Sequence, residues 1–187
     1  PKGYDDRPID DGDEFPFRLI TYKHILGGQS RTLPNNYWLA NVLPKNYILM
    51  NKRTAASIGI GEGDIVRLTS ATNPDGMWDL RTGQRIPVEG QVKLAEFVRP
   101  GVIAVSWSFG HWAYGANDTV IDGQLIKGDP DRKKGVCPNS VFRTDPVLKD
   151  VCLSDLIGGS TSFYETNVKV EFVKKGKIEN IHLATDA

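Results

Sequence analysis

The stretch from Thr21 to Asn36, TYKHILGGQSRTLPNN, holds more hydrogen-bonding capacity than a connection between two elements requires. Gly27 and Gly28 let successive backbone N–H groups turn toward a ligand at no steric cost. Ser30 and Thr32 add hydroxyls, and Lys23, His24 and Arg31 add positive charge. Amides, hydroxyls and cations in one loop make a cradle for phosphate or pyrophosphate. The spacing matches neither a P-loop, which needs Gly-Lys-Ser/Thr entering a helix, nor G-x-G-x-x-G. Glycine, serine and threonine are also ordinary turn residues, so a plain surface turn stands as the other reading.

A second loop, SFGHWAYGAND at 108–118, sets Phe109, Trp112 and Tyr114 around His111, with Gly110 and Gly115 for close backbone approach. Aromatic faces and edge-on hydrogen bonds suit a flat heteroaromatic ligand. The same residues would serve an ordered loop anchored by aromatic burial, with His111 a structural histidine. Further on, Asn139 and Ser140 follow Cys137-Pro138. An asparagine amide reads one donor and one acceptor on a base or pterin edge; alternatively Asn139 is an N-cap for the residues after it. Cys137 has no cysteine or histidine beside it, which favours a small apolar role over a metal ligand. His182 reads as a structural tail residue. G-x-S-x-G, H-E-x-x-H and C-x-x-C are all absent. Asp64 lies in a tight turn, where a turn-closing hydrogen bond is the expectation.

Elements must hold these loops in place. The 187 residues are 40% hydrophobic and 25% charged, enough for one globular domain. Lysine plus arginine equals aspartate plus glutamate at 23 each, which gives no electrostatic reason to expect nucleic acid or an anionic membrane. No apolar run approaches a membrane span. Two cysteines and three scattered histidines argue against a metal held by this chain alone. Residues 1–14 carry six acidic side chains and read as a linker or tail. The start at Pro1 rather than methionine suggests a fragment or processed product.

Strands are expected at 17–23, 47–50, 65–70, 90–97, 102–107 and 163–173 from their β-branched, aromatic and alternating patterns. A short helix opens at Pro34-Asn35 and stops at Pro44. Asn51 is placed to cap a second helix that Gly59 ends in a left-handed conformation. Asn-Pro, Asp-Gly and Thr-Gly within 71–87 mark an inserted hairpin. The long segment 108–140 is expected to be ordered and functional. Residues 174–187 read as a tail. The sum is a mainly β fold with short helices, a β-barrel with long ordered loops.

The order of LANVLPKNYILMN, AASIGIGEGDIVRLTS and GQVKLAEFVRPGVIAVSWSFGHW, preceded by the 21–32 loop and followed by Asn139, resembles one family over residues 15–173. It is similar to the C-terminal molybdopterin-dinucleotide-binding domain of the dimethyl sulfoxide reductase family, in particular the branch of tetrathionate, arsenate and polysulfide reductases. The resemblance implies a six-stranded double-psi β-barrel that caps molybdopterin guanine dinucleotide carrying molybdenum or tungsten. It assigns cofactor contacts to the segment Thr21, Tyr22, Lys23, His24, Gly28, Gln29, Ser30, Arg31 and Thr32. It places Asn139 near a pterin with Ser140 beside it, and His111 over the substrate funnel. The family's metal ligand and iron–sulfur cysteines lie in earlier domains, so this chain alone is not expected to turn over. The implied partners are an iron–sulfur electron-transfer subunit, together with the remaining domains of the catalytic subunit. Two other classes use such barrels. An aspartate-decarboxylase-like enzyme would cleave itself at Gly159-Ser160, and a non-catalytic interaction barrel would not need the aromatic Gly-His-Trp loop.

Overall fold

The computed structural model describes residues 1–27, 32–33, 35–113, 115–155 and 157–178. Six strands close a barrel: β1 (Phe17–Tyr22), β2 (Ile48–Met50), β3 (Ile65–Thr69), β6 (Glu89–Leu94), β7 (Val102–Ser106) and β10 (Thr166–Lys174), in the order β1-β10-β3-β6-β2-β7. Two antiparallel hairpins stand outside it, β4 (Met77–Asp79) with β5 (Arg85–Pro87), and β8 (Thr119–Ile121) with β9 (Gln124–Ile126). The mainly β, six-stranded barrel expected from the sequence is the fold observed.

Alternation explains the strands. In β1, Phe17, Leu19 and Thr21 point inward and are buried, while Arg18, Ile20 and Tyr22 are half-buried. The inward rows of all six strands form one core that includes Leu19, Met50, Leu68, Val92, Ile103 and Val168. β2 is apolar throughout because both of its faces are covered. Ile48 and Met50 face the barrel core, whereas Leu49 packs outside it with Ala95, Val98 and Ala104.

Strand direction decides where the loops emerge. β1 runs parallel to β7, and β2 runs parallel to β6; the other four pairings are antiparallel. Strands β1, β3 and β7 therefore point one way and β2, β6 and β10 the other. The loops that follow β1, β3 and β7 must all leave from one end of the barrel. The chain segments entering β2, β6 and β10 start at that same end.

The short helices are set by local signals. Asn36 caps α1 (Tyr37–Val42), its side chain accepting from Trp38 N and Leu39 N. Asn51 caps α2 (Lys52–Ser57) by accepting from Arg53 N at 2.9 Å, and its amide donates to Val98 O at 2.8 Å. Gly59 follows with φ 69°. Asp64 closes its turn by accepting from Gly61 N at 2.8 Å and also takes Lys175 Nζ at 2.9 Å. The N-terminal segment folds back on the body. Asp11 accepts from Asn167 Nδ2 at 2.8 Å and pairs with Arg143 at 3.2 Å.

One asparagine joins three parts of the loop-bearing end. Asn46, 1% exposed, donates through Nδ2 to Ser106 O and to Val136 O, both at 2.8 Å. Its Oδ1 accepts from Val136 N at 2.8 Å. The entry to β2, the exit of β7 and the return of the long loop are thus held by one carboxamide. Asn46→Ala would leave three backbone groups without these partners, so the expected loss is roughly 3–5 kcal/mol. Removing the exposed Asn36 cap by alanine should cost only about 1 kcal/mol. Urea denaturation of both variants checks the contrast.

Candidate functional site

The loops after β1 and β7 meet, as their parallel pairing requires. Trp107 N donates to Tyr22 O at 2.9 Å, extending the contact past the strands. The Tyr22 and His24 rings then meet edge-on at 5.3 Å between centroids, and His24 reaches Phe109 at 6.2 Å. Burial, with Lys93 nearby, holds the His24 pKa below its ordinary value. Burial raises that of Tyr22. Both rings therefore favour their neutral forms at neutral pH.

The loop after β7 is bent sharply. Ser108 and Gly110 have φ of 78° and 69°, and Gly110 N donates to Lys134 O at 3.0 Å. A Cβ at Gly110 would meet the Val136 carbonyl carbon at 2.6 Å. Glycine is required here by conformation and by space. The bend presses residues 109–110 onto 134–137 and carries His111 and Trp112 outward.

Beyond the bend lies a cavity of about 620 Å³. One wall is the β4–β5 hairpin, with Trp78, Asp79, Arg81 and Thr82. His111, Trp112 and Asn117 line it from the loop after β7, and Asn139 completes the lining. A second buried asparagine positions the hairpin. Asn73 donates through Nδ2 to Met77 O at 3.0 Å and to Ser140 O at 2.9 Å, and accepts from Met77 N at 3.1 Å. It ties the base of the hairpin to the 3-10 turn Pro138–Val141 that bears Asn139.

The residues singled out in the sequence divide into groups. His111 and Asn139, 28 positions apart, share the cavity. Asn139 is not the helix cap of the alternative reading, because Cys137 occupies that position and makes no side-chain cap bond. Thr21 is buried in β1, and among the described residues neither its Oγ1 nor the buried Ser140 Oγ has a hydrogen-bond partner. Tyr22 and His24 stand where the two loops meet, while Lys23 and Thr32 are exposed. Gly28, Gln29, Ser30 and Arg31 lie outside the described residues, as does His182. Cys137 is 5% exposed and burial pushes its thiol up to about 11, so it behaves as a small apolar residue.

Sequence reasoning missed Trp78, Arg81, Thr82 and Asn117 as cavity residues and Asn46 and Asn73 as their supports. The Asn73-Pro74 dipeptide signalled a turn but not its bond to Ser140. The hairpin β8–β9 was also missed. Its signal was present, since Asp122-Gly123 takes φ of 50° and 77°, as a two-residue type I′ turn requires.

This lining fits a large, flat, anionic ligand. It provides two indoles, two carboxamides, an imidazole and a guanidinium, beside one carboxylate, Asp79, which accepts from Arg81 N. Among the described residues, no group of three or more histidine, cysteine, aspartate or glutamate side chains could hold a metal ion.

Two outcomes follow from this geometry. Gly110→Ala should lose about 3 kcal/mol of stability through left-handed strain plus overpacking. A urea titration reads it. For His24, the folded pKa lies below the unfolded value of about 6.5, so its contribution is complete above that pH and lost as pH falls through the folded pKa. Stability should therefore fall as pH drops from 7.5 to 5.5, and His24→Gln should flatten that slope in denaturation curves at the two pH values.

Comparison with known proteins agrees with this geometry. Residues 17–152 match the family model described as "Molydopterin dinucleotide binding domain". The chain is 44% identical over 162 residues to a selenate reductase subunit of Mesobacillus selenatarsenatis, covering 86% of this chain and 15% of that protein. It is 30% identical over 146 residues to a tetrathionate reductase subunit of Salmonella typhimurium, covering 76% and 13%. The chain thus spans about one seventh of these relatives' length. Among solved structures, acetylene hydratase from Pelobacter acetylenicus superposes with a TM-score of 0.55 at 14% identity, over 87% of this chain and 19% of that one. That likeness shows a shared fold. With the matched stretch spanning the barrel from β1 through β7 and the loops that line the cavity, the chain belongs to the molybdopterin-dinucleotide-binding domain family.

Proposed function

We propose that this chain is the cofactor-capping domain of a molybdenum or tungsten oxidoreductase of the dimethyl sulfoxide reductase family. It grips molybdopterin guanine dinucleotide through the loops at one end of its barrel. The observation that carries this reading is convergence. Loops separated by some 80 residues in sequence leave the barrel side by side, and the later one shares a cavity with Asn139. When bound, the cofactor supplies the metal centre for two-electron reduction of a substrate.

The chain's own residues have binding and positioning roles in this account. The 21–32 segment offers backbone amides, hydroxyls and cations to phosphate and pterin. Thr21, 4% exposed, anchors the start of that segment on the inward face of β1, and Ser140 follows Asn139 in its 3-10 turn. Asn139 presents a carboxamide to the cavity, and His111 lines it as a hydrogen-bonding group. No residue here is assigned to the chemical step. The metal ligand and electron-transfer centres belong to other domains and subunits, so the reaction needs those partners.

The relatives are named for selenate and tetrathionate reduction. A respiratory reductase acting on an oxyanion of that kind is the reading they favour for the parent protein. The decarboxylase-like alternative has less support. Gly159-Ser160 lies in an exposed turn closed by Asp155, whose N donates to Ser160 O at 2.8 Å. That is an ordinary loop, and intact mass should show no cleavage before Ser160.

The parent subunit, purified from cells that make the cofactor, should contain molybdenum or tungsten and release a guanine-nucleotide pterin. Elemental analysis finding neither metal would contradict the reading. Ser30→Asp, which adds a negative charge beside the expected phosphates, should lower cofactor occupancy. Unchanged occupancy would remove that loop from the site.

A further inference from the structure

The β4–β5 hairpin reads in the sequence as an excursion, yet it supplies a whole wall of the cavity. Its two arginines differ. Arg85 pairs with Asp75, just ahead of β4. Arg81, at the tip, has no ion pair or side-chain hydrogen bond among the described residues, and it lines the cavity.

The backbone holds Arg81 there in an unusual way. Its φ is 57°, a left-handed conformation that a residue with a side chain seldom adopts. Asp79 Oδ1 fixes it by accepting from Arg81 N at 2.7 Å, and Leu80 N donates to Gln84 O at 3.0 Å across the tip. Strain kept in place beside a cavity is an observation that points toward function. Lys133 Nζ lies 4.5 Å from the centroid of the Trp112 ring, adding a second cation beside a lining residue. Trp78 packs its other side on the barrel core and so offers a supported indole rather than a loose one.

Together these make a site for an anion carried on a ring system. A volume near 620 Å³ suits an organic ligand and exceeds the needs of an inorganic oxyanion. We propose that the hairpin is a ligand-gripping element in which Arg81 pairs with a phosphate and Trp78 supports the attached ring. The assignment rests on the cofactor-binding reading above and extends it to residues 78–82, outside the loops read from sequence. Arginine suits the role because its planar fork meets phosphate oxygens in pairs.

The test uses guanosine diphosphate as probe and the tryptophan emission of the 187-residue chain as readout. The probe should bind saturably and change that emission. Arg81→Gln should weaken it roughly ten- to a hundredfold, the range of a lost hydrogen-bonded charge contact. Arg81→Lys should recover part of the loss. Arg85→Gln, which removes the same charge from the paired arginine, should leave affinity within about twofold of the parent chain, as a screened surface charge does. Sulfate should compete no better than chloride at equal ionic strength. Absence of binding, equal affinity in Arg81→Gln, or sulfate binding as tightly as the nucleotide would overturn the assignment. A metal- and pterin-loaded parent subunit whose Arg81→Gln variant keeps the cofactor undiminished in high salt would overturn it too, and would leave the domain's cofactor role standing. A parent subunit without metal or pterin would instead remove that role.

Discussion

Three hydrogen bonds from a single buried carboxamide hold the working end of this barrel together. Asn46 bridges the end of β7 and the returning segment of a loop 90 residues away in sequence. All of its donors and acceptors used here meet backbone groups, which are otherwise buried polar atoms that need partners. Asn73 repeats the device one loop over, joining the hairpin to the turn that carries Asn139. Because each asparagine bonds backbone rather than side chain, the positions of the loops are fixed without using the side chains that line the cavity.

The barrel supplies the other half of the arrangement. Three strands point toward one end, so the three loops that leave β1, β3 and β7 and the segments that enter β2, β6 and β10 gather there without any further device. Parallel neighbours β1 and β7 make the closest juxtaposition, and His24 against Phe109 is its visible result. Rigidity comes from the closed sheet and its continuous core, whereas chemistry comes from loops pinned to it. The sharp bend at Ser108–Gly110 then aims His111 and Trp112 away from the core and into the cavity.

Local features of this fold were legible because their causes are local. Asn36 and Asn51 cap helices by reaching two or three residues ahead, Gly59 takes a left-handed conformation after a helix, and Asp64 closes its own turn. The strands followed from alternation. Asn46 offered no comparable signal. In LPKNYILM it looks like a polar residue before a strand, and its meaning depends on residues 60 and 90 positions away. Arg81 was hidden for a related reason. A hairpin tip rich in turn residues reads as solvent, and only its three-dimensional placement beside His111, Trp112, Asn117 and Asn139 makes a cavity. Neither loop alone separated a cofactor cradle from a polar turn; the order of the family motifs was what favoured the cradle.

One cofactor, walled jointly by the 21–32 segment and the 111–139 region, is the central claim. An experimental structure of the cofactor-loaded parent subunit tests it most directly. Pterin and phosphate density should lie within hydrogen-bond distance of groups in both segments, with Asn139 among them. Density held by other domains, with both segments facing solvent, would contradict it.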